Sequence, residues 1–240
     1  MAVASLALES LLVVWLIVRS AGPGYRQLRV LAMHSEPEAQ VTFYRRFITR
    51  WWVTAAVAAV LMWMGGQPLG LGPPRGYDAA RLVAMFAIAL GGSVGLAAVF
   101  SSIRRFFRWQ LAGIGLAHAL FPRSRTAAVW FVPAAVTAGV CEEFVFRGLV
   151  PAWAGDIAAA MGGATWAPLA ASAAIFGAMH IYQGWRGVIL TGLFGGLLYL
   201  VTVRTGSLLP AMAIHSLVDL RFGALFLVLG PLHPQAAPSV

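Results

Sequence analysis

Lysine is absent from this chain, cysteine occurs once, and aspartate and glutamate together number 8 in 240 residues. Each shortage excludes something. The single thiol, Cys141, cannot close an internal disulfide and cannot by itself build a cysteine-based zinc site. With 10% charged residues, 60% hydrophobic residues and a mean hydropathy of +0.80, the chain is neither an ordinary soluble domain nor a disordered one, since disorder needs low hydrophobicity and high charge. The net charge of +9 comes wholly from arginine. A nucleic-acid binder would gather such charge on one solvated face, whereas here the arginines sit in short segments between long apolar runs. The partner these features indicate is a lipid bilayer, with no nucleic acid. Arginine without lysine, together with abundant alanine and glycine, fits a high-GC genome.

A transmembrane helix needs about 20 mostly apolar residues. Runs near that length predict seven spans, at about 2–18, 47–64, 81–103, 126–161, 165–182, 187–203 and 208–229. The first lacks a positive leading region and carries Glu9, so it reads as a retained helix and not a cleaved signal. The fourth is too long for one straight crossing; Pro151 predicts a kink in it, and Gly162 and Gly163 close it. The run 111–120 is too short to span and reads as interfacial or re-entrant. The fold expected is an all-α polytopic membrane protein of about 7 to 8 transmembrane helices. Residues 1–125 hold N-terminal helices with basic loops, 126–230 a helical core, and 231–240 a tail.

Arginine distribution sets an expected orientation. Arg19, Arg26, Arg29, Arg45, Arg46 and Arg50 fall in one connecting segment, and Arg104, Arg105, Arg108, Arg123 and Arg125 in another. Loops of the opposite set carry Arg75 with Asp78, then Asp156, then Arg204. The positive-inside rule puts the two rich segments in the cytoplasm, the N-terminus outside and the C-terminus, with His233, inside. The segment 19–50 can also lie on anionic lipid as an amphipathic helix.

Ionisable groups at bilayer depth are costly and therefore functional candidates. Six stand out: Glu142, Glu143 and Arg147 in the fourth span, His180 in the fifth, and His215 with Asp219 in the seventh. Glu9 and Arg221 lie near helix ends, from which they can snorkel to the interface. Glu143 and Arg147 are four apart, in the favourable order for a helical ion pair. Glu142 is rotated about 100° from Glu143 and has no opposite charge in its own turn, which suits a general base. His215 and Asp219 share a helix face, as do Phe176 and His180. Glu142 lies 20 positions before Gly162 and His180 lies 17 after Gly163, so both stand roughly 25 to 30 Å from the turn and can meet. His215 starts shallower and needs helix tilt or an unwound turn near Pro210 to join them. Any one motif has a plain structural explanation, a bonded core histidine or a buried pair; three on three helices at compatible depth make a costly scaffold.

The run Glu142, Glu143, Phe144, Val145, Phe146, Arg147 resembles the EExxxR signature of the CPBP family of CAAX proteases and bacteriocin-processing enzymes. Phe176 to His180 is similar to that family's FxxxH motif and His215 to Asp219 to its HxxxN/D motif, all in order within about 127–220. The resemblance implies a conical intramembrane catalytic cavity in which Glu142 and His180 activate water for attack on a peptide carbonyl. It implies that His215 and Asp219 hold the oxyanion or orient the site, and that Glu143 and Arg147 support structure or substrate. An ionised Asp219 cannot donate to an oxyanion, so orienting His215 is the role that suits it. The sequence leaves metal dependence open: zinc held by His180, His215 and Glu142 would make a metalloprotease, while a glutamate-type mechanism needs no metal.

The function expected is an intramembrane endopeptidase acting on a membrane-associated or lipid-anchored peptide or protein substrate. Two other classes compete: a non-catalytic membrane scaffold or immunity protein of the same fold, and a proton-coupled transporter using Glu, His and Asp as a relay. A scaffold needs no full set of motif residues, and the absence of internal repeats weighs against the transporter.

Overall fold

The computed structural model describes residues 2–33, 36–75, 78–112 and 115–229; His233 and the tail 231–240 lie outside them. All regular structure among the described residues is helical. Helix α1 (Ala2–Arg19) continues through a π-helical turn, Ser20–Gly24, into α2 (Tyr25–Met33), and α3 spans Pro37–Met64. The basic segment expected as a connection is therefore mostly helix, because backbone hydrogen bonding carries a helix on past the point where its side chains stop being apolar. Helix α4 (Ala79–Val99) begins at Asp78, whose side chain accepts from the Arg81 N–H. It ends where Phe100 turns extended, and α5 (Ser101–Ala112) carries Arg104, Arg105 and Arg108. A 3-10 turn, Gly115–Leu120, leads on to the core.

The core begins with α6 (Arg125–Thr137), capped by the Ser124 hydroxyl accepting from Ala127 N–H. Two π-helical turns, Ala138–Glu142 and Phe144–Leu149, join it to α7 (Val150–Ala160). The irregularity expected at Pro151 lies upstream of it. Pro151 falls in the first turn of α7; it has no N–H to donate and its ring crowds the preceding turn, which accommodates by widening. Gly162 and Gly163, at φ of 99° and 85°, make the turn into α8 (Ala167–Met179), a conformation open chiefly to glycine. A short 3-10 turn, Ile181–Gln183, leads into α9 (Gly184–Thr205), and α10 covers Leu209–Leu229.

Six helices among the described residues are long and apolar enough to cross a membrane, Arg125–Ala160 counting as one; α8, at the place of the expected fifth span, is a shorter apolar helix. Hydrogen bonds tie the arginine-rich segments to one end of the bundle. Ser20 donates to the Met179 carbonyl, Gln40 to those of Ala119 and Phe121, and Arg104 and Arg108 to those of Val228 and Leu229. At the opposite end Gln67 donates to Asp156, and Leu208 N–H to the Gly70 carbonyl.

The main core wraps the π-helical stretch: Val13 and Leu16 of α1, Ala58 and Met62 of α3, and Phe176 of α8 close around Val145, Phe146 and Leu149. Two residues expected to snorkel have partners within the bundle. Glu9 is 2% exposed and accepts from the Ser5 hydroxyl at 3.0 Å, because α3 and α7 pack over that face of α1. Arg221 donates to Ser93 Oγ at 2.7 Å and lies 5.2 Å from the ring centres of both Phe107 and Phe222.

Candidate active site

Glu142 ends the first π-turn, and Glu143 stands between the two. Such turns are rare and recur at functional sites, since they re-aim side chains without ending the helix. Glu143 is fully buried, and its Oε1 lies 2.9 Å from Arg147 Nη1 and 2.7 Å from His215 Nδ1. The pair expected from the i, i+4 spacing is present, and the same oxygen also holds the imidazole of another helix. The Arg147 guanidinium lies 4.1 Å from the Phe176 ring centre, a desolvated cation–π contact. Gly195 of α9 makes room for both groups, since a Cβ there would stand 3.0 Å from Phe176 and 3.1 Å from Arg147 Nη2.

Phe176 is the hub of the cluster. Its ring centre is 5.1 Å from Phe146, 4.6 Å from His180 and 5.7 Å from His215. It also fixes the His180 tautomer: its carbonyl oxygen, which can only accept, lies 2.8 Å from His180 Nδ1. That nitrogen carries the proton, leaving Nε2 with a lone pair. His215 follows the same logic, its Nδ1 donating to Glu143 while Nε2 lies 3.8 Å from Asp219 Oδ2. The shorter contact on His215 thus comes from Glu143, not Asp219.

His215 reaches this depth without an unwound turn at Pro210, for α10 runs unbroken from Leu209. Gly139 provides the close approach instead. A Cβ on it would overlap the Ser216 hydroxyl and crowd the Ser216 nitrogen and Met212 carbonyl, so the bare backbone of the π-turn lies directly against α10.

Glu142, His180, His215 and Asp219 all line one cavity of about 810 Å³. Its remaining wall is largely aromatic, with Tyr44, Phe121, Tyr182 and Phe222 among its members. Glu142 is 7% exposed, and among the described residues its carboxylate has no hydrogen-bond or ion-pair partner. Glu143 and Arg147 stand behind the cavity and Phe176 in its wall. Sequence reasoning did not single out Tyr182, whose ring centre is 5.5 Å from His180, or Gln183, which accepts from Thr191 Oγ1 at 2.9 Å. Both follow His180 within three positions in sequence, and that nearness was the available signal.

No three His, Cys, Asp or Glu side chains among the described residues gather as a metal-holding group. Both Nδ1 atoms are committed to protein acceptors, so the Nε2 atoms are the ring nitrogens that His180 and His215 have left for the cavity.

Residues 124–221 match the family of type II CAAX prenyl endopeptidase Rce1-like proteins. No curated protein and no solved structure is significantly similar to the chain. The matched segment starts at the Ser124 cap and contains Glu142, Glu143, Arg147, Phe176, His180, His215 and Asp219, whereas Tyr44, Phe121 and Phe222 of the cavity wall lie outside it. With its six long apolar helices, the chain is an integral, multi-pass membrane protein.

Proposed function

We propose, from the premise that residues 124–221 form an Rce1-like domain, that this chain is an intramembrane endopeptidase. It hydrolyses a peptide bond of a membrane-associated or lipid-anchored protein or peptide, in the bacterial cytoplasmic membrane with the cavity open to the arginine-rich, cytoplasmic end. The observation that carries this reading is the shared cavity onto which an unpartnered Glu142 carboxylate and the motif histidines His180 and His215 open.

The chemistry follows from these groups. A water between Glu142 and His180 Nε2 gives one proton to Glu142 as its oxygen attacks the carbonyl carbon. The carbonyl π pair moves to oxygen, and His215, when it carries a proton on Nε2, donates to that oxyanion. Collapse of the intermediate breaks the C–N bond while Glu142 returns its proton to the departing amine, so atoms and charge balance. Glu143, clamped by Arg147, holds the His215 ring so that Nε2 faces the cavity. Asp219 lies nearest that nitrogen and stabilises the imidazolium. No step here uses a metal.

The test is Glu142→Gln at matched membrane abundance, with protein termini mapped across membrane and secreted fractions. Specific precursors accumulate uncut in the variant, and purified protein cleaves them. Unchanged termini, or full activity of the purified variant, would overturn Glu142 as the base.

A further inference from the structure

A second cavity, of about 170 Å³, lies on the other side of the Glu142–His180 wall. Phe43, Phe47, Leu120, Glu142, His180 and Tyr182 border both cavities. The residues that line the smaller one alone are largely apolar, and among them the polar side chains are Arg19 of α1, Ser20 of the π-turn, Gln27 of α2, and Arg50 and Thr54 of α3, with Trp15 beside Arg19. Ser20 and Thr54 spend their hydroxyl protons on the carbonyls of Met179 and Arg50. What remains to meet a ligand is the pair of guanidinium groups, with the Glu142 carboxylate on the shared wall.

Arg50 gives one N–H to Gln27 Oε1 at 2.9 Å, and the charges acting on it are Arg19 and Arg46, both of its own sign. Arg19 lies 5.7 Å from the Trp15 ring centre. The ion pairs among the described residues all belong to the catalytic cluster, so none involves Arg19, Arg46 or Arg50, and Glu142 is the one carboxylate on the wall of this cavity. A guanidinium offers five donors, and two of them converging on one small cavity present a matched site for an oxyanion.

The surroundings identify its source. Trp15 is 47% exposed, and Leu11, Val14 and Val18 continue the exposed apolar stripe along α1. Tryptophan beside arginine at the end of a span marks headgroup depth, and basic pockets between transmembrane helices hold anionic lipid headgroups. We propose that the cavity between α1, α2 and α3 is a binding site for the phosphate of an anionic phospholipid, held by Arg19 and Arg50, with the acyl chains lying along the Leu11, Val14 and Val18 stripe. The site does not depend on the protease reading, but it places a lipid phosphate in a cavity that Glu142 and His180 themselves border.

The test uses the full chain, reconstituted in vesicles of equal parts phosphatidylcholine and phosphatidylglycerol and released for native mass spectrometry. Wild type retains phosphatidylglycerol in preference to phosphatidylcholine. In Arg19→Gln with Arg50→Gln the retained fraction falls roughly 30-fold, the equivalent of about 1 kcal/mol per arginine, while the double lysine variant keeps most of it. Arg19→Gln alone, the milder change should the double variant fail to fold, lowers it about fivefold. Arg105→Gln, on the exposed α5, changes nothing. Equal retention in the glutamine variants, or an equal loss in Arg105→Gln, would overturn the site. So would displacement of the lipid by a short peptide with a free terminal carboxylate but not by its amide, which would assign the arginines to a peptide ligand.

Discussion

The helix α4 and the long helix Arg125–Ala160 are both apolar enough to cross a membrane, yet they are built for opposite surroundings. In α4 6% of the span is buried inside the protein; in Arg125–Ala160 the share is 61%. The lipid-facing helix has no ionisable side chain beyond Arg81 in its first turn and keeps regular α geometry. The buried one holds Glu142, Glu143 and Arg147 and departs from α geometry twice. Hydrocarbon tolerates neither charge nor an unpaired backbone group. A membrane helix can therefore carry chemistry only where neighbouring helices have replaced the lipid, and neither feature is visible in how apolar the helix is overall.

The largest expected effect breaks the buried network outright. Arg147→Ala leaves Glu143 without its counter-charge in a dry site and lowers stability by about 3–5 kcal/mol, read as thermal unfolding of the purified protein; a wild-type transition would show that this network does not hold the helices together. Next, Glu143→Gln keeps the volume but weakens the grip on His215. It reduces kcat on the order of 100-fold, the cost of misplacing a reacting group by about 1 Å, with KM held. A matching rise in KM would instead place Glu143 in substrate binding. Glycine then gives a comparison of sign. Gly139→Ala drives a methyl into α10 and costs about 1–3 kcal/mol. In α4, Gly92 has nothing within 4 Å of where a Cβ would stand, and Gly92→Ala raises stability by about 0.5–1 kcal/mol through helix propensity. If both substitutions moved the transition the same way, the contrast between the two helices would fail.

Much of this was legible beforehand because it depends on local composition. Apolar runs located the long helices, Gly162 and Gly163 located the hairpin between α7 and α8, and i, i+4 spacing located the Glu143–Arg147 pair. What escaped depends on partners distant in sequence. Glu9 reads as a residue free to snorkel until α3 and α7 are packed against it. Glu143 reads as a partner for Arg147 alone, because nothing near it in sequence announces that Gly139 will let α10 bring His215 to the same oxygen. The π-turns were hidden for a different reason: Pro151 signalled a disturbance, but whether it becomes a kink or a widened turn is decided by the helices around it.

The brevity of α8 has its own consequence. Its 13 residues rise only about 20 Å, against a hydrocarbon layer of about 30 Å. The Ser20 hydroxyl ties the last turn of α8 to the arginine-rich end of the bundle, and the chain then reverses at His180 and Gln183. A helix too short to cross thus delivers its imidazole where it stops, near one face of the layer and not at its middle.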